Sequence, residues 1–311
     1  MTPPYRDYAA HLRDYFPDRK INKLTIDAGF SCPNRDGTIG RGGCSYCNNS
    51  SFSPTPGGRG LSVTEQLKLG KQFFARKYPK MQYLAYFQSY TNTHAPADRL
   101  IALYEEALAC PDIVGLIIGT RPDCVDSSLL ERIASLKSQC GYIMMEYGAE
   151  SANDEALKAV NRCHTWADTV NAVTLTRQTG LLTGLHLING LPEDSHDSIM
   201  HTVDCLNSLH PDTVKFHQLQ IIRGTRLAAQ VESGTVSPTI YSIDDYINLC
   251  CEIVSRISPD IAIERFVSSS PAELLLAPRW GIKNHEFTDR LVNELRRRQN
   301  DARMNLPTTQ K

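Results

Sequence analysis

This sequence predicts an α/β protein built on a parallel sheet, and three features point there. Short apolar runs recur along the chain, each followed by a stretch whose apolar residues fall at helical spacing. Six such strand-then-helix units succeed one another, and parallel neighbours need crossover connections of that kind. Several runs are apolar on both faces, as expected of a sheet covered by helices.

The predicted strands are "KLTID" (23–27), "YLAYFQ" (83–88), "IVGLIIGT" (113–120), "YIMMEYG" (142–148), "LTGLHLING" (182–190) and "TVKFHQLQI" (213–221). Between them lie the helical stretches "TEQLKLGKQFFARKY", "PADRLIALYEEALA", "SSLLERIASLKS", "TWADTVNAVTLTRQTG" and "SHDSIMHTVDCLNSL". In the second, Leu100, Leu103, Tyr104, Ala107 and Leu108 share a face. "TG" at 179–180 marks a helix end just before a strand. The pattern alone fits an open doubly wound sheet or a curved barrel equally well. After residue 225 it changes to helical stretches, a strand "IAIERFV" (261–267) and a final helix around 285–300. The expected organisation is an N-terminal helical segment over 1–20, a core over 21–225, and an extension over 226–311 packed on that core.

Composition narrows the function. The 311 residues are 41% hydrophobic, enough for one large core or two modest ones. A formal net charge of -1 provides no global field toward nucleic acid or membrane. Local basic segments remain, "FPDRKINK" and "NELRRRQNDAR"; the plainer reading of the second is a solvated helix face. No apolar run approaches the roughly 20 residues needed to span a bilayer, and the N-terminus lacks a secretory apolar region. A cytoplasmic protein with ten reduced cysteines is expected. Cys110, Cys140, Cys163, Cys205, Cys250 and Cys251 sit in or beside helical patterns and read as structural thiols.

The other cysteines raise a sharper question. "FSCPNRDGTIGRGGCSYC" follows the first strand and holds Cys32, Cys44 and Cys47 in a C-x11-C-x2-C spacing. The C-terminal ends of parallel strands carry chemistry in such folds. Gly37, Gly40, Gly42 and Gly43 let the loop turn tightly around an inorganic centre. Three thiolates on a four-iron cube leave one iron open for another ligand. Spacing alone also admits a zinc site completed by Cys124 or His94, or three unrelated thiols.

The chain resembles the radical S-adenosylmethionine (SAM) enzymes, and more closely the elongator-catalytic-subunit-like, YhcC-like subgroup. The stretches that carry the resemblance are the cysteine loop, "YLAYFQSYTNT", "GTRPDC", "EYGAES", "VNRCHT", "LHLINGLPED" and "KFHQLQIIRGT", in that order. The commoner cysteine spacing of radical SAM enzymes is C-x3-C-x2-C; the wide spacing here agrees with the subgroup. The resemblance implies a partial (β/α)6 TIM barrel with a C-terminal helical and strand extension. It implies that Cys32, Cys44 and Cys47 hold a [4Fe-4S] cluster whose open iron is chelated by SAM. A flavodoxin- or ferredoxin-like donor would supply the electron that cleaves SAM to a 5′-deoxyadenosyl radical.

The other motifs receive roles in the same way. Gln88, Tyr90 and Thr91 lie where the family's SAM-amino-group loop sits, and otherwise cap a strand end. The glycine-glycine-glutamate common there is absent. Arg121 and Asp123 offer a charge pair for SAM or substrate, or a tie between loops. Glu146 and Glu150 share a strand face, and Glu150 would accept from ribose hydroxyls. Arg162 stands where the family's arginine pairs with SAM's carboxylate, which a guanidinium fork holds bidentately. His186 is placed near the ribose. Lys215 and His217 share one side of the sixth strand as candidates for adenine or substrate contact, and Gln220 joins them only if the strand has ended by then. Elongator-type relatives act on the C5 side chain of the wobble uridine in tRNA, so tRNA is the expected substrate. A protein or small-molecule substrate, and a non-catalytic iron–sulfur or zinc module, are the competing readings.

Overall fold

Each apolar run becomes a strand because its alternate residues have a core to enter on either side of the sheet. The computed structural model describes residues 3–48, 51, 60–75 and 80–304. The chain starts with α1 (Tyr8–Tyr15), whose N-cap Asp7 accepts from Ala10 N. It continues through β1 (Ile21–Ile26), the short α2 (Pro33–Asp36), α3 (Val63–Ala75), β2 (Gln82–Phe87) and α4 (Ala97–Leu108). The predicted continuation of the third helix to residue 78 lies outside the described residues. Next come β3 (Ile113–Thr120), α5 (Ser127–Ser135), β4 (Tyr142–Glu150), α6 (Asp154–Ala159), α7 (Trp166–Gln178) and β5 (Leu182–Asn189). The last portion holds α8 (His196–Leu209), β6 (Thr213–Gln218), β7 (Ile221–Ile222), α9 (Arg226–Glu232), α10 (Ile243–Arg256), β8 (Ala262–Arg265), β9 (Leu275–Ala277) and α11 (Asn284–Met304).

Local chemistry sets the helix ends. Thr165 and Asp168 form a reciprocal capping box at the start of α7. Gly180 takes φ +73 just past its end, as the "TG" signal predicts. Ser195 caps α8 and Ser242 caps α10.

Seven parallel strands run in the order β1-β2-β3-β4-β5-β6-β8. The first and last strands of that order do not pair, so the sheet curls into a partial barrel rather than closing. Its outer face packs on the helices through Leu116, Ile118, Leu130, Ile133, Val203 and Leu206. The same apolar cluster takes in Leu24 of β1 and Leu295 of α11. Inside the barrel, Phe16, Leu84, Tyr86, Ile117, Tyr142 and Met144 fill the end near α1.

One predicted strand is broken. The run 213–221 ends as β6 at Gln218, and Ile221–Ile222 pairs antiparallel with β9 instead. Leu219 N still donates to Asn189 O, but the chain then leaves the main sheet.

Candidate active site

The cysteine loop is built by its own side chains. Cys32 holds the N-cap position of α2 without a side-chain capping bond, Pro33 occupies the first helical turn, and Gly37 ends it at φ +93. Asp36 accepts from Ser31 Oγ, from Thr38 N (3.0 Å) and from Thr38 Oγ1 (2.7 Å). Those hydrogen bonds hold its carboxyl below the usual carboxylate range. His94 Nε2 lies 2.9 Å from Asp36, so this histidine ties the loop to the segment after β2 and is not turned to the cysteines. Gly40 is a close-approach glycine: a Cβ there would lie 2.3 Å from Asn34 Oδ1. The loop docks on the turn after α6 through Ser45 N to Val160 O (2.8 Å) and Asn161 Nδ2 to Gly43 O (2.9 Å).

Cys32, Cys44 and Cys47 line one cavity of about 720 Å³ at the C-terminal ends of the strands. That volume falls within the range of small-molecule and cofactor sites. Among the described residues, no three His, Cys, Asp or Glu side chains are grouped to hold a single metal ion. Cubane thiolates bind separate irons and need no such convergence. Cys124 lies beside Asp123 (3.6 Å), and burial pushes its thiol up to about 12. Burial, with the neighbouring Cys44, pushes the Cys47 thiol up to about 11. Thiolates here therefore need positive charge close by. Arg162 Nη1 lies 3.6 Å from Cys44 Sγ, and Arg35 donates to Cys47 O at 2.7 Å.

Most of the sequence-derived candidates reach this cavity. Gln88, Tyr90, Thr91, Arg121, Glu146, Glu150, Arg162, His186, His217 and Gln220 all line it. Arg121 forms a fork on Asp123 at 2.8 and 2.6 Å and also donates to Arg162 O at 3.0 Å. Arg162 donates to Gly148 O at 2.6 Å and pairs with Glu150 at 3.4 Å. A register shift between Gly148 and Glu150, with Glu150 at φ +68, brings Glu150 to this wall.

Two candidates do not line it. Asp123 stands behind Arg121 and orients it. Lys215 is buried beneath the floor, its Nζ 2.6 Å from Glu146 and 3.3 Å from Glu264. Glu146 also lies 2.9 Å from His186 Nε2 and 3.8 Å from Lys23, so its carboxylate belongs to an ion network. Burial is the largest influence on both histidines and lowers His186 and His217 from the ordinary value, leaving them neutral. Gln220 does leave the strand's parity, as β6 has ended, but both ends of its amide hold the 268–270 loop. Cys163 departs from the expectation of a structural thiol: it is exposed, at φ +62, with Sγ 3.2 Å from Asn34 Oδ1.

The sequence reading missed Arg35, Tyr46, Arg265 and Ser268–Ser270, which also line the cavity. The available signal was "ER" inside the otherwise apolar strand "IAIERFV".

The donor set fits a cluster with an anionic co-ligand. Arg121 Nη1 and Arg162 Nε are buried and lack a hydrogen-bond partner among the described residues. Both arginines border the cavity that the three thiols line. Buried donors of this kind call for an acceptor supplied from outside the chain.

Comparison with known proteins agrees. The radical SAM superfamily model matches residues 35–206, and the Radical_SAM C-terminal domain matches 211–297. Protein YhcC of Escherichia coli is 37% identical over 262 residues, covering 84% of this chain and 83% of that protein. A tRNA uridine(34) acetyltransferase of Dehalococcoides mccartyi is 28% identical over 167 residues, 53% of this chain and 35% of that one. The structure of the archaeal Methanocaldococcus infernus Elp3 superposes with a TM-score of 0.68 at 17% identity, over 90% of this chain and 64% of that one. This chain thus spans less than two thirds of the Elp3 structure, a likeness that concerns the fold.

The chain belongs to the radical SAM superfamily and is an enzyme of that class. Its members bind a [4Fe-4S] cluster and SAM, which removes the reading as a non-catalytic metal module. No helix among the described residues is long and apolar enough to cross a membrane.

Proposed function

We propose that this radical SAM enzyme modifies a tRNA nucleoside, at the C5 side chain of the wobble uridine. The observation that carries the reading is the likeness to tRNA uridine(34) acetyltransferases over 167 residues, about half of the chain. The two basic segments contribute less. Lys23 of the first is held by Glu146 and Glu264. In the second, Arg297 and Arg298 pair with Glu294 on their own helix.

In this reading Cys32, Cys44 and Cys47 hold the cluster. Arg162, with Arg121 behind it, receives SAM's carboxylate, and Gln88, Tyr90 and Thr91 supply oxygens for its amino group. Glu150 accepts from ribose hydroxyls, and His186 and His217 face the remaining space. When bound, the cluster and SAM supply one-electron cleavage of SAM and hydrogen-atom abstraction from the substrate. The protein fixes the reactants against each other and excludes water. The electron comes from a flavodoxin- or ferredoxin-like donor, in the cytoplasm. Residues 21–225 form the catalytic core, 1–20 an N-terminal segment and 226–311 an extension; the apolar cluster shared by Leu24 and Leu295 supports that extension packing on the same core.

The test is a nucleoside profile of tRNA, by mass spectrometry, from a strain lacking the protein. One modified uridine should vanish, and return with the wild-type gene but not with a Cys32/Cys44/Cys47 triple alanine. An unchanged profile rejects the tRNA reading and leaves a protein or small molecule as substrate.

A further inference from the structure

We infer that the substrate of this cavity carries an anionic oxygen group, a carboxylate or a phosphate, which Arg265 holds. The inference rests on reading the cavity as a radical SAM active site, and adds the charge of what enters it.

Arg265 ends β8, the strand contributed by the C-terminal part of the chain. The register with β6 runs Val214↔Ile263 and then Lys215↔Arg265, skipping Glu264. That shift lets two successive residues face inward. Glu264 reaches Lys215 at 3.3 Å, while Arg265 lines the cavity.

Counting the neighbouring charges isolates Arg265. Lys23 and Lys215 offset Glu146 and Glu264, two against two, in one contact network. His186 and His217 lie with ring centroids 5.6 Å apart and are neutral because burial disfavours their charged forms. Among the described residues no carboxylate pairs with Arg265, and its buried Nε has no hydrogen-bond partner. Of the arginines nearer the cysteines, Arg121 has Asp123, Arg162 has Glu150, and Arg35 is turned to Cys47 O at 2.7 Å. Arg265 is half-buried, and its shielded Nε has given up water without gaining an acceptor. Leaving a buried donor unpaired is costly, and a ligand anion removes that cost.

The wall beside Arg265 is prepared for a polar ligand. Ser268, Ser269 and Ser270 line the cavity just after β8. Gln218 accepts from Ser268 N and donates to Ser268 O, both at 3.0 Å. Gln220 donates to Ser268 O at 3.0 Å and accepts from Ser270 Oγ at 2.7 Å. The two glutamines thus clamp the serine loop to the end of β6, next to an arginine fork. Ser270 Oγ donates its proton to Gln220, so the donors left for an anion are the guanidinium fork and the hydroxyls of Ser268 and Ser269 on the clamped loop. That set suits a planar carboxylate or a phosphate oxygen pair.

The experiment uses reconstituted, SAM-saturated protein titrated calorimetrically with sodium phosphate and, separately, sodium malonate. SAM saturation keeps the arginines near the cysteines occupied. Wild type should bind at least one anion saturably, R265Q should bind it at least about tenfold more weakly, and R265K should fall between, because lysine keeps the charge but loses the fork. SAM affinity and cluster absorbance should match in all three. A preference for phosphate assigns a phosphorylated group to the substrate; a preference for malonate assigns a carboxylate. The inference is overturned if wild type binds neither anion, or if R265Q binds as wild type does. Should R265Q fail to fold by circular dichroism, R265K decides, and wild-type affinity in that variant rejects the fork. A wild type that does not bind SAM at all would instead sink the reading of the site, and the inference with it.

Discussion

A methyl group on Gly148 would lie 2.7 Å from Arg162 Nη2 and 2.8 Å from Glu150 Oε1. Both atoms end flexible side chains, so Gly148→Ala should fold with the pair pushed aside. If Arg162 receives SAM's carboxylate, the variant keeps its cluster absorbance and loses SAM affinity by at least about tenfold. Equilibrium binding of SAM to the reconstituted variant measures this, and an undiminished affinity takes Arg162 out of the SAM site. Three thiols in an unusual spacing and an arginine in a motif were readable because each is defined by near neighbours in sequence. Arg265 was not, because its significance comes from what fails to surround it. Two lysines, two glutamates and two histidines from five strands settle that, and none is its sequence neighbour apart from Glu264. Lys215 was misplaced for the same reason: alternation told its side of the strand, but not its depth below the cavity.

The six βα units were readable because apolar periodicity and crossover topology are local facts about each unit. The pair β7 and β9 was not, since two- and three-residue strands acquire their conformation from pairing across 53 residues, Ile222 with Leu275. The helix α1 shows a consequence that only packing creates. His11 is 2% exposed, with Nε2 3.1 Å from Tyr142 OH at the filled end of the barrel. Burial lowers its pKa to about 4. The unfolded chain takes up this proton below about 6.5 and the folded chain only near 4, so the stabilisation is complete above 6.5 and lost as pH falls through that window. The loss amounts to about 3 kcal/mol. His11→Gln keeps a polar group in place without titrating. Urea midpoints between pH 6.5 and 4 should therefore fall less steeply in the variant. His164, His186 and His217 shift in the same direction, so some slope should remain. Parallel slopes in variant and wild type would show that His11 is not buried neutral.

The incomplete barrel leaves β1 and β8 as its two edges, not paired with each other, and side chains cross between them. Lys23 of β1 pairs with Glu264 of β8, and both join Glu146 of β4 and Lys215 of β6. Tyr8 of α1 lies under Lys23, whose ammonium is 4.1 Å from the ring centroid. Asp7, just before α1, bridges to Ile263 of β8. An ion network and a helix therefore join the two edges where a closed barrel would use backbone hydrogen bonds. The cavity depends on this seam, because Arg265 and the serine loop hang from β8 while the cysteine loop hangs from β1. Lys23→Met removes one cation and leaves Lys215 facing the buried Glu146 and the partly buried Glu264. Breaking a buried pair in this way costs about 3–5 kcal/mol, and that cost falls on the edges rather than on the centre of the sheet. Backbone amides of β1 and β8 should then exchange with deuterium about 100-fold faster or more, while those of β3 to β5, each hydrogen-bonded on both sides, keep wild-type rates. Equal acceleration in all seven strands would mean that the sheet opens as one unit and that the ion network does not act as its seam.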